Sequence, residues 1–153
     1  MDFKEYTHQN KLERYAFLWS EARLLIASVA LFLGGIPVLI FIIRTIPFIA
    51  SILGLVLTLS WIISGVASAY LLYKWLMGGR ILFGGKARLD TVAFLVSVIS
   101  GLNLGIVGLF GTNVGMNILS NRAIFAITAL IYIASAYHLH KRWKEKGENM
   151  FGL

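Results

Sequence analysis

The chain has 153 residues, 58% hydrophobic and only 14% charged, with a mean hydropathy of +0.79 and a net charge of +7. A soluble domain of this size could not hide so much apolar surface, and with no cysteine neither a disulfide framework nor a thiolate metal site can form. The basic residues sit at the edges of the apolar runs and form no separate basic domain, which argues against a nucleic-acid partner and for a membrane surface.

The pattern predicts an all-α polytopic membrane protein with four transmembrane helices, arranged as two parallel two-helix repeats behind an N-terminal amphipathic interfacial helix. Residues 1–23 form that first segment. Its Lys11 to Arg23 stretch places Leu12, Tyr15, Leu18, Trp19 and Ala22 on one face, as a surface helix or an extension of the first span. The mixed charges ahead of the first apolar run, with no small-residue site closing it, argue against a cleavable signal peptide.

Four runs are long enough to cross roughly 30 Å of hydrocarbon at about 1.5 Å per residue. They extend from about Leu24 to Ile43, Phe48 to Tyr73, Thr91 to Gly111 and Asn117 to Leu139, and none contains Asp, Glu or Lys. Pro37 is expected to kink the first, Pro47 to open the second and Asp90 to cap the third. The flanks and connections carry four, one, four, one and four Lys or Arg in chain order. The positive-inside rule then puts both termini in the cytoplasm, as in a prokaryotic-type cytoplasmic membrane. Tyr15, Trp19, Tyr70, Tyr73, Trp75, Tyr137 and Trp143 gather at the same basic side, as an aromatic belt would.

The chain resembles itself. Ala67-Ser68-Ala69-Tyr70-x-Leu72-x-Lys74-Trp75 returns as Ala134-Ser135-Ala136-Tyr137-x-Leu139-x-Lys141-Arg142-Trp143. Past the helix, Trp75, Gly79, Leu82, Phe83 and Gly84 are echoed by Trp143, Gly147, Met150, Phe151 and Gly152, and Glu21 with Ser28-Val29 by Asp90 with Ser97-Val98. Residues 24–85 and 86–153 then form two repeats related by a pseudo-twofold axis along the membrane normal.

Two stripes stand out. Ala93, Ser97, Gly101, Gly105, Gly108 and Gly115 line one side of the third helix, and Ser51, Gly54, Thr58, Gly65 and Ser68 line its natural partner, the second. Close helix packing explains both, and a glycine-lined pore or hinge is the sharper alternative. Asn113, Asn117 and Asn121 recur every four residues and, with Thr128, Tyr132 and Ser135, make a polar seam if helix four begins near Gly115. That seam reads either as interhelical hydrogen bonding or as a water-accessible path with Arg122 at its outer mouth favouring anions. Asn103 faces away from the glycines and calls for a partner in helix four or in another subunit. Arg44 and Arg122 are expected to snorkel to the outer interface.

At the basic side, Arg80, Phe83, Lys86, Arg88, Trp143 and Phe151 are candidate contacts for anionic headgroups or a partner, with Phe83 dipped into the interface. The Gly78-Gly79 to Gly84-Gly85-Lys86 connection lacks the Gly-Lys-Ser/Thr ending of a phosphate loop. His138 and His140 point to different helix faces and read as interfacial residues, so no metal or other cofactor is expected. With all carboxylates outside the expected spans, catalysis and proton-coupled transport are disfavoured. The remaining expectations are a non-catalytic membrane subunit or scaffold that forms a homo-oligomer or joins other membrane subunits, or a passive homo-oligomeric channel for a small neutral or anionic solute.

Overall fold

The computed structural model describes residues 3–37, 39–40, 46, 49–115 and 121–151, with the backbone alone for 3–10. It is all α: α1 (Phe3–Phe32), α2 (Ala50–Met77), α3 (Arg88–Phe110) and α4 (Arg122–Glu145). All four are long and apolar enough to cross a membrane, α1 through its Lys11–Phe32 part. Arg44, Pro47 and Asn117 lie outside the described residues.

The first helix is displaced from its expected place. It is one continuous helix of 30 residues, so no separate amphipathic helix precedes it, and it ends about ten residues earlier than hydropathy implies. The cause is Gly34-Gly35: both have left-handed φ, near +83° and +84°, and their N–H groups close the last turn by donating to the Leu31 and Ala30 carbonyls. Pro37 therefore follows the helix end instead of kinking a span. The face expected to lie on a membrane surface points away from the bundle, with Leu12 and Tyr15 55% and 66% exposed, while Glu13, Phe17, Ser20, Glu21 and Leu24 turn inward.

α3 begins at Arg88 with Ala87 as its cap and no side-chain capping bond, so Asp90 sits in the first turn with another task. Its last turn is closed by Gly111 at φ +70°. α4 begins at Arg122, because the Asn121 side chain accepts a hydrogen bond from the Ala123 N–H and stops the helix there.

α2 and α3 make the most extensive helix contact, followed by α1 with α4; α1 also touches α3, whereas α2 and α4 do not meet. The α2–α3 crossing runs through bare backbone. A Cβ on Gly65 would lie 2.6 Å from the Gly105 Cα, and one on Gly108 would lie 2.8 Å from an Ile62 side-chain carbon. Such close approach gives dispersion and backbone contact where lipid offers no hydrophobic gain. Gly54, near the start of α2, has no atom of the described residues within 4 Å of its Cβ position.

The basic end is held differently, by an ordinary hydrophobic core that extends beyond the helices. Phe17, Leu71, Trp75, Phe94, Leu139 and Trp143 pack there with Leu82 and Met150 from the two segments that follow α2 and α4. These segments fold alike. Gly79-Arg80 and Gly147-Glu148 are both left-handed pairs, and the Arg80 and Glu148 N–H groups each donate at 2.9 Å to the carbonyl of Trp75 and Trp143 respectively. Leu82 and Met150 are each 1% exposed. The burial pattern repeats at an offset of 68: Ser68 with Ala136, Leu71 with Leu139 and Trp75 with Trp143. The Ala-Ser-Ala-Tyr match, at 67, is one residue out of this register, which is why Tyr70 is half-buried and Tyr137 is exposed.

Candidate functional site: a buried polar cluster

The bundle interior is most polar where α1, α3 and α4 meet. Asp90, 1% exposed, receives hydrogen bonds from Arg142 through Nε at 3.1 and 3.2 Å and through Nη2 at 3.0 Å. His138 Nε2 lies 2.7 Å from the same carboxylate. A fork of this kind satisfies a buried carboxylate better than a lysine could. Glu21, also buried, lies 2.8 Å from His140 Nδ1 through Oε2. The two histidines thus serve two different carboxylates on two different helices.

Deeper in the bundle, Arg23 is 5% exposed. It donates to the Ser100 hydroxyl at 2.9 Å, the Ser97 carbonyl at 2.6 Å and the Ser97 hydroxyl at 3.3 Å. Ser100 lies 12 residues into α3, about 18 Å along a helix of about 34 Å. Arg23 is therefore not a flanking surface charge, as its position in the sequence implies, but a buried cation beside the middle of α3. Among the described residues no carboxylate pairs with it. Gly101 brings α2 in: a Cβ there would meet Ser68 Oγ at 1.8 Å and Arg23 Cζ at 3.0 Å. Helices α1, α2 and α3 thus converge on this guanidinium.

Several buried polar atoms around it have no partner among the described residues: Arg23 Nε, Ser20 Oγ and Ser68 Oγ, with Glu21 Oε1, Tyr70 Oη and Trp75 Nε1 toward the basic end. Nearby, Trp19 Nε1 donates at 3.0 Å to Ser64 Oγ, which donates to the Ser60 carbonyl.

The expected polar seam is dispersed. Asn103 Nδ2 donates at 2.9 Å to Asn113 Oδ1, and its Oδ1 accepts from the Gly115 N–H at 3.1 Å, so its partners come from the segment after its own helix rather than from helix four or another chain. Asn113 is outside any helix and Asn121 is a cap, so these residues do not share a helical face with Thr128 and Ser135. The buried stripe of α4 is mostly apolar, Phe125, Ala129, Ala136, Leu139 and Trp143, with Ser135 beside it. Arg122 is exposed at the opposite end, beside an open cavity of about 310 Å³ formed with Leu31 to Gly34, Phe125 and Ala126.

Of the candidate headgroup contacts, Arg80, Lys86 and Arg88 are exposed. Phe83 and Trp143 are buried, at 3% and 2% exposure. The Phe83 N–H donates to the Met150 carbonyl at 2.8 Å, and the Arg142 guanidinium stands 5.7 Å from its ring centre. Phe151 meets Phe94 edge-on at 6.1 Å. The Glu148 carboxyl is held below its ordinary value by a hydrogen bond from Lys144, with Arg14 adding to the effect.

Sequence reasoning missed Arg23, Glu21 and Asp90 as interior groups. The available signal was Ser97 and Ser100, three residues apart on α3, whose hydroxyls can accept hydrogen bonds from a buried donor as well as pack closely. Glu13 and Glu21 also fall within Lys11–Phe32, the part of α1 long and apolar enough to cross a membrane, so the carboxylates are not all outside span-length helices as expected. The chain matches no known protein-family model, no curated protein and no solved structure.

Proposed function

We propose that this chain is a non-catalytic integral membrane subunit or scaffold, with both termini cytoplasmic, that assembles with copies of itself or with other membrane subunits. The observation that carries this reading is the contrast between the two ends of α2. Its Gly65 and Ser68 are filled by α3, whereas in the small-residue stretch Ser51, Gly54 and Thr58 the Gly54 Cβ position has no atom of the described residues within 4 Å, Ser51 is exposed, and Ile52, Leu55, Val56 and Leu59 project outward around it. Small residues spaced in this way let another helix approach closely. A duplicated pair of helices accounts for the matched left-handed turns and matched burial, with Arg23 breaking the symmetry, since the corresponding residue of α3 is Val92.

The competing reading, a passive channel for a small neutral or anionic solute, draws support from the polar cluster around Arg23. It is weakened by the direct backbone contact of α2 with α3 and by the in-house pairing of Asn103 with Asn113. Native mass measurement after gentle extraction tests the proposal. An assembly larger than one chain, reduced to monomer by Gly54→Leu without loss of the folded state, supports it. A monomer at every concentration, or solute flux through reconstituted protein, refutes it.

A further inference from the structure

We propose that Arg23 holds a small monovalent inorganic anion, with chloride the simplest candidate, as a resident counter-ion inside the bundle. The inference is independent of how the protein associates.

A guanidinium does not deprotonate in a protein, so its burial cannot be relieved by neutralisation as it can for lysine or glutamate. The described partners of Arg23 are two serine hydroxyls and one carbonyl, which accept its hydrogen bonds but bring no net negative charge. What is left over around it is a set of donors. Arg23 Nε–H and the Ser68 and Ser20 hydroxyls are all buried without partners among the described residues. Ser68 Oγ and Arg23 Cζ both lie within 3.0 Å of the place a Gly101 Cβ would take, so these groups meet where α3 has no side chain. Ser20 is one turn before Arg23 on the same side of α1.

Two unpartnered donor groups that meet at the Gly101 gap, one of them on a fixed positive charge, with the buried and unpartnered Ser20 hydroxyl one turn earlier on α1, suit an acceptor that never donates. A water molecule would satisfy some of these bonds and leave the charge uncompensated; a halide would satisfy the bonds and neutralise it. A divalent anion would only reverse the sign of the buried charge.

The test uses the purified full chain in detergent or nanodiscs, melted in sodium chloride and in sodium gluconate at equal ionic strength. The wild type should melt higher in chloride, and increasingly so with chloride concentration, as for any ligand bound only by the folded state. Arg23→Met should lose the chloride response and be at least as stable as the wild type in gluconate. Ser68→Ala, a milder change, should raise the half-saturating chloride concentration by roughly tenfold, the loss of one charge-assisted hydrogen bond. Crystals grown in bromide should show an anomalous peak within hydrogen-bonding reach of Arg23 Nε. Equal melting of the wild type in both salts, a chloride response retained by Arg23→Met, or density for water without a bromide signal would each overturn the proposal.

Discussion

Replacing Gly105 by alanine tests the account of how α2 and α3 are held together. The added methyl would lie 2.7 Å from the Gly65 Cα, a backbone atom that cannot rotate aside. Carbon atoms in comfortable contact are about 3.5–4.0 Å apart, so the helices must part by roughly 1 Å along the whole crossing. Overpacking of this kind costs about 1–3 kcal/mol, and alanine returns up to about 1 kcal/mol through its better helix propensity. With the full return the expected net loss is up to about 2 kcal/mol, a shift of the unfolding equilibrium of up to roughly thirtyfold. Reversible unfolding in mixed micelles, followed by tryptophan fluorescence, measures it. Gly54→Ala is the control: with no atom of the described residues near its Cβ position it should be neutral or slightly stabilising. Equal tolerance of the two substitutions would show that the Gly65–Gly105 approach does not limit the bundle. A Gly65→Ala/Gly105→Ala pair should cost less than the sum of the single changes, because the first methyl already separates the helices.

At Gly101 the obstruction is a side chain instead, so Gly101→Ala should be destabilising alone and partly rescued by Ser68→Gly, which removes the atom 1.8 Å from the new methyl. The buried pair at the basic end should respond asymmetrically. Arg142→Ala leaves Asp90 with a side chain 2% exposed and dependent on His138, and should cost about 3–5 kcal/mol in an unfolding titration. Asp90→Asn leaves Arg142, whose side chain is 27% exposed and can reach water, and should cost less. Because Glu148 has a lowered folded-state pKa, its contribution is present above the ordinary carboxylate value of 4.5 and lost as pH falls through the depressed one. Acid should therefore loosen the tail from Arg14 and Lys144, seen as faster amide exchange near Met150, and Glu148→Gln should flatten that pH dependence.

Where hydropathy and helix period agree, the chain can be read directly. The α2 and α3 spans fall within a few residues of their expected ends, and the packing glycines on α3 are those the 3.6-residue period selects. The first span was not legible because two signals compete between residues 24 and 43. The apolar run continues through Gly34-Gly35, and only the left-handed backbone of those residues ends the helix and moves the crossing toward the N-terminus. That shift carries Glu21 and Arg23 inward. A residue counted as a flanking charge and one buried in the bundle look the same in sequence; what distinguishes them is which serines on α3 they reach. The polar seam failed for a related reason: a four-residue recurrence of asparagines implies one face only if the segment is one helix, and Asn121 is a helix cap.

The histidine and arginine partners of the buried carboxylates have a consequence for how the chain comes to be inserted. Glu21 is synthesised first and Asp90 after it, yet His138, His140 and Arg142 all belong to α4 and leave the ribosome later than both. Until α4 arrives, two apolar helices each carry a carboxylate with nothing to pair it, and their basic ends have reason to remain hydrated instead of settling. Helix α4 therefore acts as the closing piece for α1 and α3 together. Chains truncated before His138 should be held by the insertion machinery or cleared by proteolysis, even though three of the four spans are already made.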